Sequence, residues 1–298
     1  MNRYFFIFLA SFSLLISACT PDTEDPNEDL TRDIRLIDAY LQGTGIPGNR
    51  ILTDNNSGVR FVFDSYGKGM LPTTGQTVTY DVIGSVLSNG TIGAPFITAR
   101  EIKKVEDITP EGLQFAIRSV LKGTDATVYI PARFGYGTQG NVTLGIPPDA
   151  ILRYDIMVHD VQRTLAQQTQ FEQDTAKIKD YLEANNITNA IQHESGIWYT
   201  VGEQGSGAVP NPYHAVTFDY ELRNLANPSG NPIEQNTLTD QFIWGLVPGL
   251  RIGFQLMNEG SEYTFYLPSG LCYGTNSQTT IPANSNLIFK IKLKSIRN

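Results

Sequence analysis

Cysteine, histidine, clustered positive charge and long apolar runs are all scarce in this chain, and each shortage removes a class of function. The three histidines, His159, His193 and His214, are scattered with no Cys/His/Asp cluster at ligand spacing, so no metal site is expected. There is no Gly-x-Ser-x-Gly elbow, phosphate loop or dinucleotide fingerprint, and nothing calls for a cofactor. The 22 basic residues are outnumbered by 30 acidic ones and form no cluster, which makes nucleic acid and anionic lipid surfaces poor partners. Of the two cysteines, Cys272 has no histidine near it in sequence and reads as a buried, inert thiol. The apolar run from Tyr4 to Ile16 is too short to cross a bilayer, which takes about 20 such residues.

What the chain has instead is a repeat. Ser57-Gly58-Val59 through Leu152-Arg153-Tyr154 is echoed by Ser195-Gly196-Ile197 through Leu287-Ile288-Phe289. Each copy runs through a Gly-x-Gly turn (Gly67, Gly69; Gly205, Gly207) and an alternating strand (Thr77 to Val82; Ala215 to Tyr220). A short helix, a Tyr-Gly loop (Tyr136-Gly137; Tyr273-Gly274), an Ile-Pro turn (Ile146-Pro147; Ile281-Pro282) and a last apolar strand follow. The segment ahead repeats too, Asp38-Ala39-Tyr40-Leu41 against Asp180-Tyr181-Leu182. A period of about 140 residues is domain-sized, so the pattern implies a tandem duplication with one core per copy.

The boundaries follow from composition. Residues 1–18, a single Arg3 ahead of the apolar run, form a signal segment. Ile16-Ser17-Ala18-Cys19 resembles the lipobox of bacterial lipoproteins, which implies cleavage before Cys19 and lipidation of its thiol; Cys272 is then left without a disulfide partner. Residues 19–30 are acidic, contain proline and lack large apolar groups, so they read as a solvated tether. Residues 31–163 form module 1 and 164–298 module 2, with the boundary in the polar stretch Arg163 to Gln170.

Within each module, periodicity predicts a leader helix (Thr31 to Tyr40; Phe171 to Leu182) and half-buried antiparallel strands. One internal helix is predicted in each. In module 1, Thr109 caps it, Pro110 occupies its first position and Gly123 ends it; in module 2, Val247-Pro248-Gly249 opens it and Gly260 ends it. One helix laid on one antiparallel sheet, twice, is an α+β architecture.

The ordered set of motifs resembles the FKBP-type peptidyl-prolyl isomerases. Module 2 is the closer match, through Leu246-Val247-Pro248-Gly249-Leu250, Met257-Asn258-Glu259-Gly260-Ser261, Leu271-Cys272-Tyr273-Gly274 and Ile281-Pro282-Ala283. Module 1 keeps Ile130-Pro131-Ala132-Arg133-Phe134-Gly135-Tyr136-Gly137 and Ile146-Pro147-Pro148. The resemblance implies a bent sheet wrapped over one helix, with an apolar pocket that takes a prolyl ring. It assigns catalytic roles to Tyr220, Tyr273 and Glu234, and pocket walls to Phe242, Leu246, Val247, Leu250, Ile281 and Phe289, Leu250 standing where many members have tryptophan. In module 1 it assigns Leu113, Tyr136, Ile146 and Tyr154, with Val82 in place of the family tyrosine and Gly93-Ala94 in place of the Phe-Asp pair.

The expectation is a lipid-anchored protein of the bacterial envelope that isomerises Xaa-Pro bonds of proline-containing or unfolded polypeptides, chiefly through module 2. Module 1 is assigned a binding role, in contact with its sister module or with a second copy of the chain. The alternatives are a non-catalytic chaperone or peptide-binding scaffold, and a spacer in a surface-assembly or glycan system.

Overall fold

The computed structural model describes residues 28–297. The signal segment, Cys19 and the tether up to residue 27 lie outside the described residues.

Module 1 opens with helix α1 (Glu28–Thr44), followed by β1 (Ile51–Thr53), β2 (Arg60–Ser65), β3 (Thr77–Ser88), β4 (Thr91–Ile92), β5 (Ile97–Lys104), α2 (Glu111–Ser119), β6 (Asp125–Ile130) and β7 (Ile151–Gln162). Module 2 repeats the order as α3 (Leu165–Ala184), β8 (Ile191–Gln192), β9 (Trp198–Glu203), β10 (Ala215–Asn224), β11 (Glu234–Phe242), α4 (Pro248–Phe254), β12 (Glu262–Leu267) and β13 (Leu287–Arg297). The two antiparallel sheets are superimposable in topology. The path β5-β3-β7-β6-β2-β1 in one is β11-β10-β13-β12-β9-β8 in the other, and among the described residues the small β4 is the only addition.

The repeat register is fixed by pairing. Val82 lies opposite Ile156 and Gly84 opposite Tyr154, as Tyr220 lies opposite Ile291 and Leu222 opposite Phe289. Both long central strands carry an irregularity at the same place, Thr79/Tyr80 and Thr217/Phe218. Each sheet closes a core over its short helix: Leu113, Ala116 and Ile117 of α2 in module 1, and Leu250, Ile252 and Phe254 of α4 in module 2. The Gly-x-Gly turns exist because another backbone crosses them. A Cβ on Gly67 would lie 2.2 Å from the Lys122 carbonyl oxygen, and one on Gly205 2.3 Å from that of Glu259.

Several boundaries differ from the sequence expectation. Helix α1 begins at Glu28, so the last residues of the expected tether are helical. Helix α3 begins at Leu165, inside the stretch expected to be a linker, because Thr164 and Gln167 form a reciprocal capping box. Helix α2 is capped by Pro110 rather than Thr109 and ends at Ser119, four residues before Gly123. Helix α4 ends at Phe254, so Met257 packs from the turn that follows.

The leader helices dock through a buried acid. The Ala132 N–H donates to Asp33 Oδ2 at 2.9 Å in module 1. In module 2 the Ser269 N–H and hydroxyl donate to Asp174 Oδ2 at 2.9 and 2.5 Å. Ile37 and Leu41, then Ile178 and Leu182, bury the same face of each helix, and Tyr40 meets Tyr129 as Tyr181 meets Tyr266, with ring centroids 5.7 and 5.8 Å apart. Each leader helix therefore clamps the segment that leads into the Tyr-Gly loop.

The two cores also touch. Tyr213 stacks on Phe63 with centroids 3.9 Å apart, Trp244 packs on Phe61 at 5.7 Å, and Leu71 and Leu121 of module 1 join the core of module 2.

Candidate active site

In module 2 the strand, helix and loop motifs converge on one end of the sheet. Tyr220 of β10 and Phe289 of β13 project from neighbouring strands into the core, buried to 8% and 4% exposure. Leu250 on the first turn of α4 and Ile281 before the Ile-Pro turn close beside them, with Leu246, Val247 and Tyr273 partly buried at the edge. The loop holding Tyr273 is tied down at both ends. The Gly274 N–H donates to the Ser269 carbonyl at 2.8 Å, the Asn284 N–H to the Gly274 carbonyl at 2.7 Å, and Ser269 is the residue held by Asp174.

The polar groups of the site meet around Glu234. Glu234 is the first residue of β11, opposite Leu222, and its carboxylate is exposed. The Tyr220 hydroxyl donates to it, and burial followed by this bond raises the Tyr220 pKa. Burial also raises that of Tyr273, with smaller contributions from Cys272 and from Glu234. Both phenols are therefore neutral hydrogen-bond donors at physiological pH. Burial of its sulfur pushes the Cys272 thiol pKa up.

Eight of the nine residues assigned in module 2 are thus brought to one place. The exception is Phe242, the last residue of β11, which is 54% exposed and lies opposite Ala215, away from the apolar wall. Leu238 on the same strand packs against the core instead. Four residues apart in a regular strand the two would share a face, but the β10–β11 pairing is irregular between Val216 and Phe218, and the extra residue on β11 turns Phe242 to the other one.

Module 1 buries Leu113, Ile146 and Tyr154 in its core with Tyr136 packed against them, and the space they leave is small. The remaining cavity is about 30 Å³, lined by Tyr80, Phe96, Tyr136 and Tyr154 among others, room for a water or two. The register corrects the assignment of Gly93-Ala94. Ile97 pairs with Gly84 as Glu234 pairs with Leu222, so Phe96-Ile97 stands where module 2 has Ile233-Glu234. The signal was present in sequence, since both pairs follow a proline, Pro95 and Pro232. Phe96 meets the Tyr154 ring edge-on at 5.8 Å, so module 1 keeps an aromatic there and lacks only the acid. The Tyr154 hydroxyl, with no counterpart on Phe289, is hydrogen-bonded with Tyr136.

Residues 69–159 and 207–294 both match the FKBP-type peptidyl-prolyl cis-trans isomerase family. The chain belongs to that family. Among FKBP-type relatives, the isomerase FkpA of Aeromonas hydrophila is 28% identical over 174 residues, covering 54% of this chain and 61% of the relative. The outer membrane protein MIP of Legionella longbeachae is 31% identical over 129 residues, covering 42% and 55%. The chain therefore spans less than two thirds of either relative's length. Of solved structures, FkpA from Escherichia coli gives a TM-score of 0.37 at 22% identity, covering 44% of this chain and 64% of that one. The three FKBP domains of wheat FKBP73 give 0.33 at 17% identity, covering 81% and 95%.

Proposed function

We propose that module 2 catalyses cis-trans isomerisation of Xaa-Pro bonds in polypeptides, and that module 1 is not catalytic. The observation that carries this reading is the meeting of Tyr220, Glu234 and Tyr273 at the edge of an apolar floor formed by Leu250, Ile281 and Phe289. Rotation about the bond is opposed by about 18–20 kcal/mol of amide resonance. No bond breaks, so no nucleophile is needed; what lowers the barrier is a site that binds the twisted amide better than the planar one. The apolar floor strips water from the prolyl ring, and a twisted amide, having lost resonance, is better accommodated there than in water. In this reading Tyr273 donates to the substrate carbonyl, while the Tyr220–Glu234 bond fixes the opposite edge.

The test is an Xaa-Pro peptide assay on residues 28–298. Uncatalysed exchange takes roughly 10–100 s at 25 °C, slow enough to resolve. Acceleration abolished by Tyr273→Ala with Phe289→Ala, and retained in Tyr136→Ala, supports the reading; acceleration surviving the first pair refutes it. Peptide binding without acceleration would favour the chaperone alternative.

The proposed location is the bacterial envelope, with the chain anchored by lipid on Cys19. Supporting it are the lipobox-like Ile16-Ser17-Ala18-Cys19 and a relative described as an outer membrane protein. No described helix is long and apolar enough to cross a membrane. Cys19→Ser should release the protein from membranes or leave it unprocessed, as fractionation and mass spectrometry would show.

A further inference from the structure

We propose that module 1 is a positioning element for the substrate rim of module 2, acting from Phe61 through Trp244 and Arg251 on the backbone at Leu246. This rests on the assignment of Leu246 and Val247 to the pocket of module 2.

The contacts form an unbroken chain. Phe61 of β2, fully buried in the module 1 core, holds Trp244 at 5.7 Å. Trp244 also packs on Tyr213 at 5.4 Å, and Tyr213 stacks on Phe63, so both aromatics that module 2 contributes are seated on module 1. The Arg251 guanidinium lies over the Trp244 ring at 5.1 Å, and its Nε donates to the Leu246 carbonyl at 2.9 Å. Only Gly245 separates Trp244 from Leu246. The intervening 3-10 turn, Ile243–Gly245, is closed by the Leu246 N–H donating to the Ile243 carbonyl at 3.0 Å, so displacement of the indole displaces the rim.

The internal repeat shows that the module 2 core does not itself require these aromatics. The equivalent turn in module 1 is Val105–Asp107, and both turns hang from the same backbone bond: the Val105 N–H donates to the Gln76 carbonyl as the Ile243 N–H donates to that of His214. Trp244 therefore corresponds to Glu106, and Tyr213 to Gly75. In module 1 those two residues also meet, but through the Gly75 N–H donating to Glu106 Oε2 on an exposed surface. One polar surface pair has become a pair of large aromatics, and in module 2 that pair faces another core. Buried aromatic contacts of this kind restrict geometry as well as contributing packing. The rim thereby comes pre-ordered, which lowers the entropy lost when a peptide binds.

The experiment uses the full chain and reads peptide KM and kcat together with the backbone amide shifts of Leu246, Val247 and Leu250. Trp244→Ala should raise KM about fivefold or more with kcat little changed, and Trp244→Phe should recover most of the loss. Phe61→Leu, a change in module 1 alone, should move the same three amides while far-UV circular dichroism shows both modules folded; Phe63→Leu, which loosens the seat of Tyr213 from the module 1 side, serves the same purpose if Phe61→Leu does not fold. Amides that stay at their wild-type positions in the folded variants overturn the proposal, whatever the kinetics. If the wild-type chain has no isomerase activity, the functional reading fails, and the amide shifts still decide the coupling.

Discussion

Asp174 shows how much of this fold is set by a single polar group in apolar surroundings. Asp174 is fully buried and accepts from the Ser269 N–H, the Ser269 hydroxyl and Gln170 Nε2. Removing the acceptor strands its donors, so Asp174→Ala should destabilise the protein by about 2–3 kcal/mol, measurable as a lower urea midpoint. Because Ser269 opens the segment leading to Tyr273, the same change should also reduce isomerase activity. Tyr273→Phe keeps the ring and removes only the donor, and should lower kcat/KM about tenfold, or about 1.4 kcal/mol. Tyr136→Phe should change the rate less than twofold, since that hydroxyl is already bonded with Tyr154 over a nearly filled cavity. Equal losses in the two variants would place catalysis in both modules.

At the scale of elements, the leader helices act as clamps rather than as isolated structure. Helix α3 buries only Asp174, Ile178 and Leu182, so its start depends on local chemistry, and the Thr164–Gln167 capping box supplies it. Thr164→Ala should cost about 1 kcal/mol and fray the first turn, seen as faster amide exchange at Gln167 and Gln168. An unchanged exchange rate there would show that packing alone holds the helix. The box is present in the sequence Thr164-Leu165-Ala166-Gln167, but the polar run after it resembles a linker when composition alone is weighed. Asp33 and Asp174 were equally hidden: an acid in a leader helix normally faces solvent, and only docking shows that these two face inward.

For the whole molecule, the many buried phenols predict a definite response to alkali. Burial raises the pKa of Tyr80, Tyr154, Tyr213 and Tyr220, and brings Tyr129 to about 12. In the unfolded chain tyrosine ionises near pH 10, so above that pH the unfolded state loses protons that the folded state keeps. Stability is then complete below about pH 10 and falls as pH rises through the folded values. Urea titrations at pH 8 and pH 11 should show the drop, and a stability that rises over this interval would reverse the assignment. The aromatic seam of Phe61, Phe63, Tyr213 and Trp244 should also join the modules in a single thermal transition, which Tyr213→Ala would split in two by calorimetry.

By itself the sequence determined the duplication, the strand alternation and the order of motifs. These depend on periodicity and on short motifs, and both are local properties that survive in one dimension. Tertiary structure alone decided the register that pairs Ile97 with Gly84 and so puts Phe96 in the narrow pocket of module 1, the outward turn of Phe242, and the inward turn of Asp33 and Asp174. It also decided that Tyr213 and Trp244 leave their own module to pack on Phe63 and Phe61. Pairing register and docking are contacts between residues far apart in the chain, fixed by how whole surfaces fit, and no local pattern encodes which of a strand's or helix's faces will find a partner.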